Sequence, residues 1–209
     1  MSVVINNTYK CPVCGKIFES ENVTDISTDC DRGLDTNVHD DNQFKQIVIC
    51  PDCGYSAPYY FEVEDDDIIE FVRSKEYSDV FNSEWDPVIK KWMLAGYISK
   101  YMGNHYDAGY EFMVAGWYAR DYTKIPNDFQ YAMHLAIAEF SAHVEETYEV
   151  NSALIVVDLL RQVARFQEAF DFALELRDSG LDDDTNKILD FELQKISESD
   201  TKEHLISEV

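Results

Sequence analysis

Five cysteines punctuate the 209-residue chain, and four of them stand in two matching boxes, Cys11-Pro-Val-Cys14-Gly and Cys50-Pro-Asp-Cys53-Gly. Two residues between cysteines let both thiolates turn toward one ion, while backbone N–H groups of the tight turn can donate to the sulfurs. Gly15 and Gly54 supply the backbone freedom that ends each turn. Two such knuckles, each followed by a β-type run, predict a four-thiolate site in which Cys11, Cys14, Cys50 and Cys53 hold one structural Zn2+ in a zinc ribbon. The pairs are separated by 35 residues, more than the usual gap of about 15–20, and a polar insertion accounts for the excess. A thioredoxin-like redox pair or an iron centre are the competing uses of these boxes. No βαβ pattern surrounds either pair, and four thiolates around one closed site favour structural zinc.

Cys30 is the odd one out. It lies in Asp-Cys-Asp-Arg-Gly-Leu-Asp-Thr-Asn-Val-His-Asp-Asp with His39 nearby, so a second metal site can be drawn, but a free thiol in an acidic loop is the simpler account. The acidic positions there do not follow EF-hand spacing. Glu139 and His143 are four apart and share a helix face, where an ion pair is the expected outcome rather than a metal site. No nucleophile elbow, phosphate loop, HExxH or dinucleotide fingerprint is present. No catalytic residue is assigned.

The elements that position the cysteines follow from a change of composition near residue 65. Before it come turns and short β-type runs at 16–19, 45–49 and 59–63, with a polar, acidic insertion at 21–43 that is long for a structureless loop. After it the pattern is helical. Acidic residues at 64–67 open a first helix, and Asp86-Pro87 caps the next, reaching about residue 102. Further helices are expected at 106–122, 126–148, 151–164, 166–179 and 182–197, with a frayed tail at 199–209. Short connections between long helices force antiparallel neighbours. Phe166, Ala169, Ala173 and Leu176 have the spacing of the second helix of a tetratricopeptide repeat, and Tyr106, Gly109, Met113 and Gly116 repeat it degenerately. The two copies stand 60 residues apart, not a multiple of about 34, so the stack is tetratricopeptide-like and not a regular array. The fold class is α+β, mostly α: a ribbon of short antiparallel strands at 1–65, then a stack of antiparallel helices at 66–198.

Charge restricts the partners. Against 17 basic residues stand 41 acidic ones, a formal net charge of −24, which opposes direct contact with nucleic acid or an anionic membrane. Residues 1–67 alone carry 14 acids against Lys10, Lys16, Arg32 and Lys45. The N-terminus lacks a basic stretch followed by an apolar one, and no window approaches about eighteen consecutive apolar residues, so a cytoplasmic protein is expected. Aromatics concentrate at 92–118, most of them at core spacing. Tyr101 and Tyr110 are the candidates left to anchor a partner.

The two cysteine boxes, the Gly54-Tyr55 that follows the second, the Asp/Arg-rich excursion and the stretch Ala115-Gly116-Trp117-Tyr118-Ala119-Arg120 resemble the bacterial and archaeal proteins grouped as domain of unknown function 2225. The resemblance implies a zinc ribbon joined to tetratricopeptide-like helices, and no activity. The reading that follows is a non-catalytic, zinc-binding adaptor whose helices present a protein-binding surface. A transcription- or translation-associated ribbon acting through protein contacts is the second reading, and an enzyme with an unrecognised site the third.

Overall fold

The computed structural model describes residues 3–23, 26, 31–58 and 66–209. Cys30 and the β-type run at 59–63 lie outside the described residues. Two antiparallel hairpins come first: β1 (Val4–Lys10) with β2 (Ile17–Val23), and β3 (Ile47–Ile49) with β4 (Ser56–Pro58). Each cysteine box is the turn of one hairpin. Tyr9 faces Phe18 across the first and Val48 faces Ala57 across the second.

Eight α-helices follow: α1 (Asp66–Val72), α2 (Lys75–Phe81), α3 (Pro87–Tyr101), α4 (His105–Tyr118), α5 (Pro126–Thr147), α6 (Val150–Gln162), α7 (Phe166–Arg177) and α8 (Asp183–Ser197). Their starts are chemically marked. Asp86 accepts from the Val88 N–H with Pro87 in the first turn, Glu149 accepts from Ser152, and Asp182 accepts from Thr185. Their ends use left-handed residues, among them Gly103, Tyr148 and Ala164. Helix α2 was not expected from the periodicity. Ser74 starts it by accepting from the Tyr77 N–H, and it exists because Tyr77 is fully buried beneath the ribbon.

The helical core is centred on α3, α4 and α5, where Trp92, Phe112, Met113, Met133 and Phe140 are buried. On α4, Gly109 lies under the Phe140 ring and Gly116 under Met133, so the degenerate repeat positions are close-approach points between α4 and α5. The composition change near 65 is not a boundary in packing. Phe44 and Ile47 join the helical core, while Leu94 and Ile98 of α3 join the core that holds the cysteines.

Residues 199–209 are not frayed. The Ile206 N–H donates to the Arg32 carbonyl and the Leu34 N–H to the His204 carbonyl, both at 2.8 Å, with Gly33 bridging Leu205. The buried Arg161 Nη1 donates to the Asp200 and Lys202 carbonyls at 2.9 and 2.7 Å. The tail is thus tied to the insertion on one side and to α6 on the other. A backbone that supplies acceptors to a buried guanidinium is held, whatever its composition.

Candidate metal centre

The two knuckles have the same backbone. The Cys11 N–H donates to the Lys16 carbonyl at 2.8 Å and the Cys50 N–H to the Tyr55 carbonyl at 2.8 Å. Gly15 N–H returns to Cys11 at 2.9 Å and Gly54 N–H to Cys50 at 3.0 Å. Gly15 and Gly54 have φ of +77° and +76°, the left-handed conformation that a side chain disfavours.

The four sulfurs converge. Cys11 Sγ lies 3.6 Å from Cys53 Sγ, Cys14 Sγ lies 3.6 Å from Cys50 Sγ, and all four fall within 4.8 Å of one another. A disulfide would bring sulfurs to about 2.05 Å, so these are free thiols. Ligands about 2.3 Å from a tetrahedral ion stand roughly 3.8 Å apart, which matches the observed spacing. The four cysteines can therefore hold one metal ion. They are the one such group among the described residues.

The surroundings of the sulfurs are unequal. Cys11 and Cys50 are buried and Cys14 is exposed. Burial pushes the Cys11 thiol up to about 11 and raises Cys53 further. Burial also works against Cys14, yet the Lys16 backbone N–H and the neighbouring sulfurs hold it below the ordinary thiol range. A cation among the four sulfurs replaces their protons and removes the penalty that burial places on thiolates.

The helices fasten the second knuckle directly. Tyr77 Oη donates to the Gly54 carbonyl at 2.9 Å, and the Phe81 ring occupies the space into which a Gly54 side chain would project, 2.6 Å from an ideal Cβ. The first knuckle receives one contact of this kind, from Arg73 Nη2 to the Val13 carbonyl at 3.1 Å.

The other candidates are dispersed. His39 pairs with Glu203 at 3.2 Å and is not part of the cysteine group. Glu139 does not pair with His143. It takes Lys100 at 2.6 Å and His105 at 2.8 Å instead, and His143 packs against the Tyr106 ring. Tyr101 is half exposed and stacks on Phe71, ring centroids 4.3 Å apart. Tyr110 is largely enclosed, edge-on to Trp92 and Trp117, and burial pushes its phenol up to about 12. The two tyrosines do not share a surface.

Sequence reasoning missed Asp35. It is fully buried, and its Oδ2 accepts from Trp117 Nε1 at 2.8 Å, Gln162 Nε2 at 3.2 Å and Arg120 Nη1 at 3.3 Å. Arg120 continues to Glu203 at 2.7 Å. One carboxylate in the insertion thus joins the Trp117–Arg120 stretch to the tail. No periodicity marks an aspartate in a polar loop, so no local signal pointed to it.

Neither the curated proteins nor the solved structures contain a match to this chain. Among family models, one described as "Uncharacterized protein conserved in bacteria (DUF2225)" matches residues 4–156, a span that takes in both cysteine boxes and the Trp117–Arg120 stretch. The chain belongs to that family.

Proposed function

We propose that the protein is a non-catalytic scaffold of the cytoplasm in which one structural zinc ion organises the ribbon and the helices bind a protein partner. The observation that carries the reading is the convergence of four thiols from two hairpins that share a core with the helices. Four sulfurs complete a tetrahedral shell and leave no position for substrate, the arrangement of structural zinc sites. Zinc suits it because four thiolates at tetrahedral spacing match its softness and geometry. Among the described residues no helix is long and apolar enough to cross a membrane, and the net charge of −24 disfavours nucleic acid.

Exposed aromatics on the helices support reading them as the partner surface. Tyr101 is held rigid by Phe71 while half its area stays open, so it can bury area on a partner with little entropy lost. Metal analysis of the full chain should find about one zinc per molecule. Affinity capture from the source cells should then recover the same partner with the wild type, and markedly less with Tyr101→Ala at unchanged helicity. A partner retained by Tyr101→Ala but lost by Cys14→Ser would make the ribbon the recognition module and promote the transcription- or translation-associated reading.

A further inference from the structure

A cavity of about 560 Å3 separates the second hairpin from the α3–α4 pair. That volume falls in the range of small-molecule sites. Its walls are apolar and aromatic: Tyr55 and Ala57 from the ribbon, Trp92, Ala95 and Ile98 from α3, and Tyr110 from α4. Met102 and Asn104, both exposed, stand at its rim.

Among the described residues the charged groups lining it are both acids, Asp107 and Glu111, one turn apart on α4, with no lysine, arginine or histidine. Glu111 is only 6% exposed. Its Oε2 accepts from the neutral Ser99 Oγ at 2.6 Å, and no cation lines the cavity beside it among the described residues. A buried carboxylate is ordinarily paired. This one faces an apolar chamber without a cation, and burial pushes its carboxyl up to about 8. A ligand bringing a positive charge would supply the missing partner.

We propose that this cavity binds a small organic cation, an ammonium group on an apolar or aromatic body, with Glu111 as the counter-ion. The ammonium would donate to the Glu111 carboxylate, Asp107 would add negative potential at the mouth, and the apolar body would lie against lining side chains such as Ile98 and Tyr110. The site is independent of the scaffold reading. It uses none of the four cysteines and neither requires nor excludes a protein partner.

The test compares phenethylamine with phenylethanol, which differ in an ammonium against a hydroxyl, by calorimetric titration of the full-length protein. The amine should bind at least roughly tenfold more tightly than the alcohol. Glu111→Gln should abolish that preference, and Met102→Trp at the rim should weaken the amine by a similar factor through occlusion. Met102 is exposed, so Met102→Trp decides the matter even if Glu111→Gln fails to fold. An alcohol that binds as tightly as the amine, an amine unaffected by both substitutions, or no binding by either probe up to about 10 mM would overturn the proposal.

Discussion

The two cysteine knuckles are nearly identical in sequence and in backbone, yet the protein uses them differently. The first ends a hairpin whose strands mostly face solvent: Ile17 is 65% exposed, and nothing lies within 4 Å of a Cβ built on Gly15. The second ends a hairpin sunk into the helices, with Val48 and Cys50 fully buried, Tyr77 bonded to the Gly54 carbonyl and Phe81 against Gly54. One motif therefore carries two loads. Both knuckles bury part of their turn, Cys11 and Val13 in the first, but the second is held by more of the helical side, through Tyr77 and Phe81, than the first is through Arg73. A metal held between them would transfer the rigidity of the helical side to the exposed side.

The largest effects should come from the ligands, because a structural zinc contributes on the order of 10 kcal/mol to the fold it organises. Cys14→Ser and Cys50→Ser should both abolish stoichiometric zinc. They should differ in the remainder of the molecule: Cys50→Ser also places a hydroxyl in the core and should lower the melting temperature of the helices more than Cys14→Ser does. Elemental analysis and circular dichroism melts of the two variants check this, and equal melting losses would contradict the difference in burial between Cys14 and Cys50.

Next come the glycines. Gly15→Ala meets open space and incurs only the left-handed backbone penalty, about 1 kcal/mol. Gly54→Ala incurs that penalty and also a contact with Phe81 under 3 Å, so about 3 kcal/mol or more is expected. Denaturant melts of the zinc-bound proteins give the comparison directly. Smaller still are the polar fasteners. Tyr77→Phe leaves the Gly54 carbonyl short of a buried donor and should lose about 1–2 kcal/mol. Arg73→Ala removes a solvent-exposed donor to Val13 and should change stability by no more than about 0.5 kcal/mol.

The helices from Asp86 onward were legible from their apolar patterning and breakers, with side-chain caps at the starts of α3, α6 and α8 and prolines at the starts of α3 and α5. The four converging cysteines were legible because two short boxes repeat at a spacing that little else requires. Strand β1 was not, since Val-Ile-Asn-Asn-Thr-Tyr-Lys is polar and largely exposed. It forms because the knuckle brings it beside β2. Residues 199–209 read as a frayed end because their composition is that of one, and the partners of their backbone, Arg32, Leu34 and Arg161, are remote in the chain. Tyr110 shows the same limit from another side. Its spacing made it a candidate anchor for a partner, but the packing of α3 on α4 turns it toward the cavity and away from an open surface.

The unequal loading of the knuckles is tested most directly by amide hydrogen exchange with and without a chelator. Two matched probes exist, the Cys11 N–H bonded to Lys16 and the Cys50 N–H bonded to Tyr55, each at 2.8 Å. With metal bound, both should be protected. On chelation the Cys11 amide should lose its protection, while the Cys50 amide and the amides of α3, α4 and α5 should retain most of theirs. Loss of both probes together, or no change at Cys11, would contradict the account.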